Sequence, residues 1–182
     1  MSVLVREDII EEWKHGAIEI EPFNESQVSP NSYNVRLDRY LLALPKSYKI
    51  DMENPPKRED FKLIDLSKKR YTLKPGRLYL GSTIEKVGSD TFVTSYEGRS
   101  SLGRIGFESH ICAGLGDVGF KGSWTLEIRV TNPTKLPKWD ERSFTVGQMV
   151  FFVTSSDPES NTLYTGQYSN LQGPQPARVI VK

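Results

Sequence analysis

The chain has 182 residues, 37% of them hydrophobic and 26% charged, and a formal net charge of +1. That length suits one domain able to bury a sizeable core. The charge balance argues against the broad basic surface that grips polymeric nucleic acid, but leaves room for a small anion held by a few cations and backbone amides.

The first residues, Met1-Ser2-Val3-Leu4-Val5-Arg6, reach charge too soon for a signal peptide, and no apolar run approaches membrane length. A short helix is predicted over residues 5–15, because Ile9, Ile10 and Trp13 share one helical face and Gly16 stands where a C-terminal cap belongs. The helical period then disappears. Short β-rich stretches follow at 17–23, 33–44, 61–66, 77–87, 91–96, 124–131 and 144–153, separated by turn formers such as Pro30-Asn31, Pro75-Gly76 and Asn132-Pro133. Many short strands without intervening helices predict a mainly β fold, a distorted barrel or jelly-roll-like sandwich with one short N-terminal helix. Residues 46–59 read as a surface excursion. Residues 155–182 read as a C-terminal arm, ending in a strand-like stretch at 177–181.

Chemistry concentrates in three places. Glu97-Gly98-Arg99-Ser100-Ser101-Leu102-Gly103-Arg104 combines glycines, hydroxyls and guanidinium groups, the ingredients of an anion-binding loop, although a polar turn has the same composition. In Trp124-Thr125-Leu126-Glu127-Ile128-Arg129-Val130, alternation separates an apolar face from Thr125, Glu127 and Arg129. Glu127 then either lines a pocket as a general base or pairs with Arg129 at the surface. Asp117, in Gly116-Asp117-Val118-Gly119-Phe120, either stabilises a turn or meets a sugar hydroxyl or a water near phosphate. Cys112 is the single cysteine, so no intrachain disulfide forms, and a reducing, cytoplasmic setting is the simplest expectation. It reads as a small buried side chain rather than a nucleophile. His15 and His110 read as surface or satisfied histidines.

Together these segments resemble the dCTP deaminase family, a branch of the trimeric dUTPase superfamily. Residues 97–106 fit its Glu-Gly-Arg-Ser-Ser-Leu-x-Arg-x-Gly block throughout, and Ala113-Gly114, Asp117-Val118-Gly119-Phe120 and Thr125-Leu126-Glu127 follow at similar spacing. Asp8-Ile9-Ile10, Pro30-Asn31-Ser32-Tyr33-Asn34-Val35-Arg36-Leu37 and Leu73-Lys74-Pro75-Gly76 extend the likeness to nearly the whole chain, read as one domain over 1–182.

The resemblance implies deamination of a deoxycytidine nucleotide, with Glu127 as general acid and base and with Ser100 and Arg104 positioning water and stabilising charge. It implies nucleotide contacts from Arg99, Ser101, Leu102, Gly103, Ile111, Ala113, Asp117, Thr125, Leu126, Gln148, Tyr164, Gln167 and Leu171. Mg²⁺ would come in on the phosphates, and the assembly would be a homotrimer with sites between subunits. One thiol and no His-x-Glu motif cannot build the zinc site of the metal-dependent nucleobase deaminases, so the implied chemistry needs no zinc. The arm departs from the family pattern: Gln167 stands where a phosphate-contacting lysine is usual, and Leu171 where a glutamine is. This suggests a looser hold on the γ-phosphate and acceptance of dCMP or dCDP. Ala113-Gly114 and Gln148 lie nearer the form that also releases pyrophosphate. A pure dUTPase and a non-catalytic nucleotide-binding module are the competing readings.

Overall fold

The computed structural model describes residues 2–112, 114–140, 144–159 and 162–178. Helix α1 (Arg6–His15) opens the fold, and the strands follow: β1 (Ile18–Glu21), β2 (Val28–Ser29), β3 (Ser32–Arg36), β4 (Tyr40–Ala43), β5 (Lys62–Asp65), β6 (Thr72–Leu73), β7 (Tyr79–Ser89) and β8 (Val93–Gly98). A single-turn helix α2 (Ser100–Gly103) leads to β9 (Phe107–Glu108), β10 (Leu115–Gly116), β11 (Lys121–Val130), β12 (Thr134–Lys135) and β13 (Thr145–Phe152). The fold is mainly β, as expected.

The helix forms where its apolar stripe can be buried. Ile9 is fully buried, and Ile10 and Trp13 pack against the core. Its start is held by the Asp8 carboxylate, which accepts the Val5 amide at 3.1 Å, and its end by Gly16 at φ 80°, whose amide donates to the Trp13 carbonyl.

All strand pairs are antiparallel. One sheet runs β5-β4-β7-β11-β9 with β1 also on β7; a second runs β10-β8-β13-β3-β2; β12 and β6 form a small ribbon. Residues of both large sheets meet in one core, including Tyr33, Val35, Met149 and Phe151 from the second and Leu41, Val87, Leu126 and Ile128 from the first. Strand β7 is buried almost end to end, because it is flanked on both sides.

The stretch 33–44, expected as one strand, is two. The chain leaves the second sheet after Arg36 and enters the first at Tyr40, turning where the Asp38 amide donates to the Ser82 carbonyl and the Arg39 amide to the Asp38 carboxylate. Both halves send residues into the same core, Tyr33 and Val35 from β3 and Leu41 and Ala43 from β4, so composition alone does not mark the crossing. Residues 46–59 are largely exposed and form no strand. Residues 177 and 178 are in no strand, and the rest of the expected terminal strand lies outside the described residues.

Strand β7 carries two extra residues against β11, where Ser82 opposes Thr125 but Lys86 opposes Ser123. The irregularity turns Glu85 inward, where it is fully buried. Its carboxylate accepts from the Arg36 amide (2.8 Å), the Arg36 Nε (2.6 Å) and the Gln27 Nε2 (2.9 Å), tying the two sheets together. Removing one partner of such a buried pair costs far more than the pair contributes net, so Glu85→Ala is expected to lower unfolding free energy by roughly 3–5 kcal/mol, read by urea denaturation. A loss under about 1 kcal/mol would show that the pair is structurally idle.

Candidate active site

Glu127 lies near the end of β11 on the face away from the core, opposite Leu80 of β7. It is half-buried and does not pair with Arg129, which instead holds Glu108 across the β9–β11 pair at 2.8 Å. The Glu127 Oε2 accepts the amide of Ile111 at 2.9 Å and that of Cys112 at 3.2 Å. Two successive backbone N–H groups make a small anion-binding concavity, and this one is filled by a side chain of the same subunit. Among the described residues, Oε1 has no hydrogen-bond partner, so one carboxylate oxygen is fixed and the other is open.

The donating loop is anchored at both ends. Phe107 and Glu108 pair with β11, while Leu115 and Gly116 pair with β8 in the other sheet. Between them, the Tyr96 amide donates to the Gly114 carbonyl at 2.7 Å, and the His110 ring stands edge-on to the Tyr96 ring at 5.4 Å. The Tyr96 hydroxyl donates to the buried Val146 carbonyl, and burial holds its pKa well above the ordinary phenol value, so it remains a neutral anchor. Cys112 corrects the sequence expectation: its thiol is exposed rather than buried, whereas Ser109 and the His110 Nδ1 of the same loop are buried, the latter with no hydrogen-bond partner among the described residues. Ala113 lies outside the described residues. Ile111 is 41% exposed.

The glycine- and arginine-rich segment sits at the end of β8, in the other sheet. Its Ser100, Ser101, Gly103 and Arg104 are exposed, and among the described residues no hydrogen bond or ion pair joins Ser100 or Arg104 to Glu127. Leu102 packs against the core and Leu126 is buried in it, so what these two can offer a ligand is backbone. The turn after α2 requires Gly106: its φ is 72°, and a Cβ there would lie 1.8 Å from the Thr131 hydroxyl. Arg99 is different from its neighbours, because its Nη1 donates to the Asn34 Oδ1 at 3.0 Å. Gln148 lies in register between Asn34 and Glu97, and its Oε1 accepts the Ser32 hydroxyl at 2.9 Å. Sequence reading singled out Arg99 and Gln148 but missed Asn34, which joins them; only strand register reveals that neighbourhood.

The arm lies alongside β11. The Tyr164 amide donates to the Val118 carbonyl (2.8 Å), the Asn170 amide to the Lys121 carbonyl (2.7 Å), and the Gln175 amide to the Thr125 hydroxyl (3.1 Å), two residues from Glu127. The Ser123 amide donates to the Leu171 carbonyl at 3.3 Å, while Gln167 is exposed. Asp117, also exposed, begins the turn over which the arm crosses. That crossing depends on Gly119, at φ 95°, where a Cβ would sit 2.6 Å from the Tyr164 nitrogen. Gly119→Val is expected to release the arm, accelerating protease cleavage within 155–178 by about tenfold or more while the cooperative melt of the core moves little. Unchanged cleavage would show that the contact does not hold the arm.

No group of three or more His, Cys, Asp or Glu residues able to hold a metal occurs among the described residues. No described helix is long and apolar enough to cross a membrane.

Residues 3–154 match the family model described as dCTP deaminase-like. The protein from Clostridium acetobutylicum named dCTP deaminase, dUMP-forming, is 42% identical over 160 residues, covering 88% of this chain and 87% of that one. Its namesake from Leptospira biflexa serovar Patoc is 40% identical, covering 88% and 86%. The crystal structure of 2′-deoxycytidine 5′-triphosphate deaminase from Agrobacterium tumefaciens superposes with a TM-score of 0.64 at 19% identity, which speaks for the fold. That match covers 84% of this chain but only 46% of the longer one.

Proposed function

The chain belongs to the dCTP deaminase-like family, and from that premise we propose that it converts dCTP to dUMP by way of hydrolytic deamination at C4 of cytosine. The name shared by its relatives, dUMP-forming, describes a product that has lost both the amine and the two outer phosphates of dCTP. Two waters are therefore consumed, and ammonia and pyrophosphate leave.

In this reading Glu127 takes a proton from the water that attacks C4 and delivers protons to N3 and to the departing amine. The C4–N4 bond breaks and a C4 carbonyl replaces it. The observation that supports the role is the setting of Glu127: one oxygen anchored by the amides of Ile111 and Cys112, the other open, on a strand that the arm covers. A carboxylate aimed in this way does not have to reorganise as the proton moves. Ser100 and Arg104 position the attacking water and stabilise the charge that develops as C4 becomes tetrahedral. The backbone at Ile111 and Ala113 reads the base edge, Asp117 meets the deoxyribose, and Arg99 and Ser101 receive phosphates. With Gln148 beside Arg99 and Tyr164, Gln167 and Leu171 on the arm, these residues surround the nucleotide. Gly103 lets the loop approach the nucleotide closely, and Thr125 and Leu126 form the strand floor. Guanidinium and hydroxyl donors suit phosphate oxygens rather than a cation, so Mg²⁺ would be held through the nucleotide, where it neutralises phosphate charge.

Ser100 and Arg104 are exposed and, among the described residues, make no hydrogen bond or ion pair to Glu127, which leaves their loop free to meet the Glu127 of a neighbouring copy. The assembly proposed is a homotrimer with three shared sites.

Purified protein with Mg²⁺ and dCTP, dUTP or dCMP, its products separated by chromatography, tests the proposal. Ammonia, dUMP and pyrophosphate from dCTP are expected. Turnover of dUTP without dCTP would make the protein a plain dUTPase, and tight binding without product would make it a binding module. With Gln167 in the arm, dCMP is expected to be turned over at a rate comparable to dCTP; strict dCTP dependence would refute that looser hold on the γ-phosphate.

A further inference from the structure

The polar row on the outer face of the second sheet contains a residue whose bonds all serve to aim another. Asn34, Gln148 and Glu97 lie side by side across β3, β13 and β8, and Arg99, two residues beyond Glu97, reaches back to this row. The Asn34 amide nitrogen donates to the Gln27 carbonyl at 2.9 Å and to the Ser29 hydroxyl at 2.7 Å. Both bonds come from the segment that precedes β3, so the amide plane is fixed from behind. Its remaining polar atom, Oδ1, is thereby presented outward and accepts Arg99 Nη1 at 3.0 Å. Among the described residues this is the only hydrogen bond made by the Arg99 side chain, which leaves Nε and Nη2 available.

We propose that Asn34 is a positioning residue for the nucleotide's phosphates: it holds the Arg99 guanidinium in one orientation so that its free edge meets phosphate oxygens. The inference rests on the reading of Arg99 as a phosphate ligand. The physical reason for such a device is that an arginine on a loop end carries several rotatable bonds, and each must be frozen when phosphate binds. A neutral acceptor behind the guanidinium freezes them beforehand without cancelling its charge, which a carboxylate in the same place would do. The Gln27 carbonyl can only accept and the Arg99 guanidinium can only donate, so the amide is held in one of its two orientations. The consequence falls on binding, because neither Asn34 nor Arg99 takes part in the proton transfers assigned to Glu127.

The test is steady-state kinetics of Asn34→Ala, Arg99→Ala and the double variant with dCTP and with deoxycytidine, alongside thermal melting. Asn34→Ala is expected to raise KM for dCTP about tenfold with kcat within about twofold, and to leave kcat/KM for deoxycytidine, which has no phosphates, unchanged. The double variant should be no worse than Arg99→Ala alone, because the two changes remove one interaction. If Arg99→Ala raises KM but Asn34→Ala does not, or if the two effects multiply, the positioning role is overturned while the phosphate reading of Arg99 stands. If Arg99→Ala itself leaves KM unchanged, the phosphate reading fails, and the inference fails with it. Should Asn34→Ala not fold, Ser29→Ala, which removes one tether of the Asn34 amide, is expected to raise KM for dCTP in the same phosphate-dependent way, by roughly two- to threefold; an unchanged KM there overturns the proposal.

Discussion

Glu127→Gln should slow ammonia release from dCTP by roughly 10³-fold or more while leaving dCTP affinity within about threefold of the parent. Glutamine keeps the length of the side chain, and its carbonyl oxygen can still accept the amides of Ile111 and Cys112, so the loop between β9 and β10 has no reason to move. What it lacks is a site that can take a proton from water and hand it on. Every proton transfer assigned to this residue is lost together, which is why the expected fall is at the upper end of what a single general base supplies. The measurement is coupled ammonia detection, with dCTP binding followed separately by calorimetry. Retention of more than a tenth of the parental rate would remove Glu127 from the chemistry. Lost binding together with lost rate would instead mean that the carboxylate is a structural clasp for the loop.

A second large effect is expected from mixing two dead variants. Arg104→Ala and Glu127→Gln should each be inactive alone, for one lacks the charge-stabilising guanidinium and the other the base. If each site draws Arg104 from one copy and Glu127 from the next, trimers reassembled from an equal mixture contain parental pairs at about a quarter of their sites by random assortment. Activity should therefore return to about that fraction after denaturation and joint refolding, with sedimentation testing for the proposed trimer. The expectation rests on the proposed trimer, and exposure is compatible with it: Ser100, Ser101 and Arg104 are exposed at the end of β8, and Glu127 lies under a different loop on the other sheet. A mixture as inactive as its parts would place the whole site within one subunit, and a monomer in sedimentation would have the same consequence.

These predictions use residues that differ in how readily a sequence shows them. Helix α1 was legible, because Ile9, Ile10 and Trp13 recur at helical spacing and a glycine follows. Strand β11 was legible for the same kind of reason: its burial alternates as its composition does, with Trp124, Leu126, Ile128 and Val130 inward and Glu127 outward. The five two-residue strands among the described residues were not, since two residues carry no period. The split between β3 and β4 was hidden by a core that both sheets share.

Local pattern and the resemblance of residues 97–106 were thus sufficient to determine the β architecture, the outward direction of Glu127 and the family. They work because side-chain direction in a strand is a local property, repeating every second residue. Which groups meet was decided only by the tertiary structure. The amides that clasp Glu127 come from residues 111 and 112, the acceptor behind Arg99 comes from β3, and Glu85 is turned inward by an irregularity against β11. Hydrogen bonds join atoms brought close by sheet register and loop path, and register depends on every strand in the sheet at once, so no single stretch of sequence contains it.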